Sequence, residues 1–159
     1  MPIKEFELLH GAVLAKLARK ERPLRLFETE KDKWAVYTVD DVVEIFIKRS
    51  MNPNPDADEK SWSFAFNKNE IEKIRRLKLP VAIALVCGRE NISSKPNERM
   101  FLCFIKPQFL SKVIDLDNDV TKNLRVTYKK GERKLKIIHN RKMVHDEFLN
   151  AIMDDDWLK

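Results

Sequence analysis

The densest group of chemistry-bearing residues lies between Lys122 and Lys142, where nine Lys/Arg stand against one acid, Glu132. Arg125, Lys129, Lys130, Arg133, Lys134 and Lys136 flank a Lys130-Gly131-Glu132-Arg133 turn, with Tyr128 among them. Cations at this density attract phosphates, and an exposed tyrosine can stack a base, so nucleic acid is the partner class this segment suggests. A solvated edge hairpin, guarded by lysines against strand pairing, gives the same pattern. His10 carries Glu7 at i−3, within helical side-chain reach, which fits a base with its orienting carboxylate as well as a packed histidine beside Gly11. Cys87 and Cys103 fall in apolar runs, which favours inert buried thiols. His139-Asn140 and His145-Asp146 lack zinc-site spacing. Asp115, Asp117 and Asp119 alternate like the start of a calcium loop, but Val120 and Val126 stand where that loop needs Gly and Glu, so an acidic turn is expected.

These residues must be positioned by one domain: 159 residues with 43% hydrophobic composition can bury a core. Net charge is +6 and uneven, at +8 over 122–142 and −4 over 143–159. No run approaches the roughly 20 apolar residues of a membrane span, no secretory signal is visible, and two cysteines make no disulfide framework. No membrane partner and a cytoplasmic location are therefore expected. Three glycines leave little room for a phosphate-binding glycine loop.

The periodicity predicts an amphipathic helix over 4–19, then strands at 24–28, 34–39 and 42–50. A loop at 51–60 precedes a strand at 61–67 whose Trp62, Phe64 and Phe66 share one face. A helix over about 69–78, capped by Asn67 or Asn69, leads to the continuous apolar run 81–87, which reads as a strand buried on both faces. A strand at 100–105, a short helix from Pro107 to Ile114, the basic hairpin and a helical tail from about Val144 to Trp157 complete the chain. The expected class is α/β (α+β): a mixed sheet flanked by helices, with an appended hairpin and an acidic tail helix from 143.

The opening order of helix, three strands, helix and strand, with Asp40-Asp41 closing the second strand and Lys48 on the third, resembles the restriction-endonuclease-like, or PD-(D/E)XK, superfamily. That resemblance implies two carboxylates on neighbouring strands holding Mg2+ through oxygen ligands, with a lysine orienting the attacking water in phosphodiester cleavage. It would make Asp41 the first metal ligand, Glu28 or Glu44 the second, and Lys48 the catalytic cation. Phe46 stands two residues before Lys48 where the pattern has an acid, and Glu44 lies four residues away, roughly 13 Å along a strand. Glu7 is a further candidate carboxylate.

Four more segments, His10-Gly11-Ala12-Val13-Leu14, Phe46-Ile47-Lys48-Arg49-Ser50, Ser61–Phe66 and Val81–Gly88, together resemble a family of small bacterial proteins and imply a shared fold without a transferable activity. The leading expectation is a nucleic-acid-binding protein with an endonuclease-like core. The alternative is a non-catalytic interaction module that uses the hairpin and the Asp154-Asp155-Asp156-Trp157 tail, docked at home or on a protein partner.

Overall fold

The structure is a computed structural model that describes residues 11, 24–30, 34–51, 53, 59–88, 101–118 and 120–148. It has mixed α and β content, is mostly strand, and divides its strands between two sheets. The first sheet runs β1 (Leu24–Glu30), β2 (Trp34–Val39), β3 (Val43–Ser50), β5 (Val81–Cys87) and β6 (Phe101–Ile105), in that spatial order. The second runs β4 (Glu59–Phe66), β7 (Lys122–Lys129), β8 (Lys134–His139) and β9 (Lys142–Phe148).

β1, β2 and β3 form an antiparallel meander. β5 lies parallel to β3, a pairing that requires a crossover, and β4 and helix α1 (Lys68–Arg76) supply it. Asn67 caps α1 by accepting the Glu70 N–H at 2.9 Å, and Ile71 and Ile74 turn its apolar side inward. The expectation for 81–87 holds: every residue of β5 is buried, between β3 and β6.

The core lies between the sheets. Trp34, Val36, Phe46, Ile83, Leu85 and Phe101 of the first sheet pack with Trp62, Phe64, Phe66, Leu124, Val126, Leu135 and Ile137 of the second. Aromatic contacts cross the seam: Phe46 to Phe66 at 6.1 Å, Trp62 to Phe101 at 5.6 Å, and Phe101 to Tyr128 at 4.5 Å. The Trp62 indole N–H donates to the Gly88 carbonyl at 2.8 Å, which satisfies a polar atom inside that apolar layer. The first sheet's opposite face is buried as well, around Ile45, Ile47, Ala82, Ala84 and Phe104. Of the helix expected over 4–19 only Gly11 is described, and it is helical.

Several expectations are corrected. The strand at 61–67 does not join the first sheet, and the basic hairpin is not an appendage. β4 pairs along its whole length with β7, and the hairpin's Leu124, Val126, Leu135 and Ile137 are fully buried core. The tail helix expected from Val144 is also absent over its first turn, because Lys142–Phe148 is strand β9 on β8. The boundary expected after residue 142 thus falls inside a sheet, while 149–159 lie outside the described residues.

The turn that launches β9 is Asn140-Arg141, with φ of 50° and 63°. That is the two-residue hairpin loop with both residues left-handed, a conformation that glycine adopts without penalty and other L-residues adopt at a cost of about 1–2 kcal/mol. Arg141 is exposed, and its side chain makes no ion pair or hydrogen bond among the described residues. Arg141→Gly is therefore expected to raise stability by about 0.5–1 kcal/mol, read as a melting temperature about 1–4 °C higher by calorimetry. A lower melting temperature would refute the assigned turn.

Candidate functional site

On β3, alternation sends Glu44, Phe46 and Lys48 toward the inter-sheet side. Lys48 is the last of these, at the seam, with its side chain 12% exposed. Its ammonium donates to the carboxylate of Glu70 and to the carbonyl of Ala65, and it sits 4.9 Å from the centroid of the Phe66 ring. Glu70 is 5% exposed and belongs to the first turn of α1, where the helix dipole also favours a carboxylate. Ala65 is on β4, an edge strand, so Lys48 satisfies a carbonyl that no neighbouring strand takes. One cation thus joins both sheets and the helix.

The other carboxylates implied by the endonuclease resemblance go elsewhere. Glu28, on the edge strand β1, pairs with Lys73, one turn along α1 from Glu70. Asp41 lies in the β2–β3 turn at φ 52°, exposed and paired with Arg25 at 2.9 Å. From Val43 to Lys48 the strand climbs roughly 16 Å at about 3.3 Å per residue, so Asp41 and Lys48 occupy opposite ends of β3. Glu44 is buried near the Asp41 end, 4% exposed, with its Oε2 lacking any hydrogen-bond partner. Burial pushes its carboxyl above the ordinary 4.5, and a backbone hydrogen bond from Leu79 offsets part of that rise. The structure therefore brings Lys48 to Glu70 and separates it from Asp41, Glu44 and Glu28. Among the described residues no three His, Cys, Asp or Glu side chains converge as a metal-binding group. Glu7 and His10 lie outside the described residues.

Glu70 is the residue that the sequence reading missed. Its signal was present in Asn67-Lys68-Asn69-Glu70, because capping by Asn67 puts Glu70 three residues on, in the first helical turn. Periodicity alone gives no indication that the carboxylate faces Lys48 rather than solvent.

The remaining candidates sort simply. Cys87 and Cys103 are buried and outside any disulfide, and burial first, then Cys103, holds the Cys87 thiol well above its ordinary range, which makes it inert. Asp115 accepts the Asp117 N–H at 3.0 Å, which is the expected acidic turn. His139 Nδ1 contacts the Asn123 carbonyl at 2.9 Å, and His145 packs on Phe109.

The basic segment divides by strand alternation. Leu124, Val126 and Tyr128 face inward, so Tyr128 packs on Phe101 and is not available to stack a base. Arg125 and Lys129 face outward beside Ser63 and Glu59 of β4. Lys134 pairs with Asp146 at 3.0 Å and Lys136 with Glu132 at 3.7 Å. Arg125, Lys129, Lys130 and Arg133 are exposed, and their side chains make no ion pair or hydrogen bond among the described residues. Among the described residues, two of the six expected nucleic-acid contacts are held by carboxylates and the other four make no ion pair.

No family model, curated protein or solved structure matches this chain.

Two stability predictions follow from the charges at β3. Lys48→Met leaves the Glu70 carboxylate buried without its counter-charge, at an expected cost of about 3–5 kcal/mol in denaturant unfolding. Lys48→Met combined with Glu70→Leu should recover most of that loss, and additive losses in the double-mutant cycle would show that the two are not coupled. For Glu44, the folded carboxyl binds its proton more tightly than the unfolded one. The group's stabilising contribution is therefore present below pH 4.5 and is lost as pH rises through the folded value. Glu44→Gln is expected to remove that decline and to raise the melting temperature at pH 7; an unchanged pH profile of stability would contradict the buried, proton-retaining carboxyl.

Proposed function

We propose that this chain binds nucleic acid through phosphate contacts on the outer face and hairpin tip of its second sheet. The observation that carries the proposal is the set of four exposed cations, Arg125, Lys129, Lys130 and Arg133, whose side chains form no ion pair among the described residues. Cations without local partners attract a dense polyanion, and each phosphate they neutralise releases condensed counterions. With Tyr128 turned inward, affinity rests on charge rather than on base stacking.

The finer reading of the first sheet as an endonuclease-like core draws support from its order. An antiparallel β1–β2–β3 meander is followed by a crossover containing α1 and a parallel β5. Within that reading Lys48 is a structural cation. It is already shared among Glu70, the Ala65 carbonyl and the Phe66 ring, and the carboxylates that would hold Mg2+ lie on other partners. The proposed activity is therefore binding, with no cleavage step assigned to Lys48, Glu44, Glu28 or Asp41.

The test is the salt dependence of binding to a labelled DNA duplex. Replacing Arg125, Lys129, Lys130 and Arg133 together with Gln is expected to weaken binding and to lower the log–log salt slope by about 3–4, at roughly 0.9 per phosphate contact. Lys134→Gln with Lys136→Gln should change the slope less, because both lysines already hold carboxylates. A four-residue variant with unaltered affinity and slope would rule out this face.

A further inference from the structure

We infer that the acidic C-terminal segment Asp154-Asp155-Asp156 competes with nucleic acid for the uncommitted cations of the second sheet, an inference that rests on the phosphate reading above. The chain leaves the described structure at the end of β9, where Phe148 is registered opposite Lys134, the first residue of β8. Lys134 is also where the hairpin turn ends, so Lys129, Lys130 and Arg133 lie at the same edge of the sheet. Two strand spacings, about 10 Å in all, separate β9 from β7. Asp154 lies six positions beyond Phe148, a reach of roughly 20 Å when extended, so the three aspartates can span that distance.

Charge selects the destination. This sheet already holds two carboxylates in the same manner, Asp146 on Lys134 and Glu132 on Lys136. Among the described residues three of the four cations of α1 are engaged, Lys73 by Glu28, Arg76 by Glu72, and Arg75 by the Leu116 carbonyl, while Lys68 is exposed at the helix start. Lys129, Lys130 and Arg133 stand at the sheet edge where the chain leaves β9, and their side chains make no ion pair among the described residues. A tethered anion at millimolar effective concentration needs only weak affinity to occupy them, and phosphates must then displace it. The tail thereby sets the threshold of polyanion density and salt at which the chain binds.

Two readouts test this on the full chain. A water-soluble carbodiimide, which joins a carboxylate to an amine as an amide with loss of water, is applied without nucleic acid. Mass spectrometry is expected to find links within one chain from Asp154, Asp155 or Asp156 to Lys129 or Lys130. The links should be suppressed at about 1 M salt, where the Debye length falls to about 3 Å. Links only to other lysines, or only between copies, overturn the inference. In the second readout, Asp154→Asn/Asp155→Asn/Asp156→Asn is expected to bind a DNA duplex roughly fivefold or more tightly than the wild type at low salt, with the difference closing as salt rises. Equal affinities at low salt overturn the competition while leaving the phosphate reading intact. If the crosslinks form but neither protein binds any nucleic acid, the phosphate reading fails and the competition fails with it.

Discussion

The structure depends on satisfying one cation at the seam of two sheets. A lysine whose side chain is only 12% exposed forfeits most of its hydration, and the penalty is tolerable only where anions and dipoles replace the lost water. Lys48 receives a carboxylate from α1, a carbonyl from the edge of β4 and the face of Phe66. Each partner comes from an element other than β3, so the charge is satisfied in one arrangement only. Sliding β4 by one residue would remove the Ala65 carbonyl and turn Phe66 outward. Rotating α1 by one position would withdraw Glu70. The apolar core would tolerate many such arrangements, whereas the buried charge tolerates few.

The same requirement extends to the sheet edge. Glu70 and Lys73 stand one turn apart on α1, so seating the first on Lys48 lays the second along β1, where it meets Glu28 and lies 5.2 Å from the Phe27 ring. Acid and base alternate from edge strand to seam. Lys48 and Glu28, which the endonuclease resemblance would place together around a metal ion, instead hold opposite ends of a structural chain of charges. Glu44 is the contrasting case. It stands on the same face of β3 as Lys48, but with a single backbone donor and one unpartnered oxygen, so its burial raises its proton affinity and builds no network.

What was legible in the sequence follows the range of the interactions. Strand alternation is local, and the apolar face of β4, the doubly buried β5 and the cap of α1 appear where their patterns put them. Sheet membership is not local. Nothing within Ser61–Phe66 records whether its aromatic face meets β3 in the same layer or β7 in a second one, and the apolar residues of the hairpin were too few to announce a whole layer. β9 escaped notice because Asn140-Arg141 makes a tight hairpin loop without glycine, and because acids in a basic neighbourhood read as a tail. Glu70 had a visible position on its helix, but its partner lies twenty-two residues earlier, across a strand crossover.

The second sheet shows why fold and proposed function are not separable here. Along β7 the residues alternate between the core and the outer face, so that Leu124, Val126 and Tyr128 fix the strand and Arg125 and Lys129 project from it. The register that makes Leu124 oppose Phe64 and Val126 oppose Trp62 is the one that makes Arg125 oppose Ser63 and Lys129 oppose Glu59. A slip of one residue would bury two cations and expose three large apolar groups at once, at a cost no surface interaction could offset. Core packing therefore enforces the order of the cations, and this cationic surface has the rigidity of the interior behind it. The same ladder continues through β8 to β9, which fixes where the acidic C-terminal segment begins. The cation row and the end of β9 sit on one hydrogen-bonded sheet and keep their spacing for as long as the sheet is folded, so the proposed competition would require no conformational change of the domain.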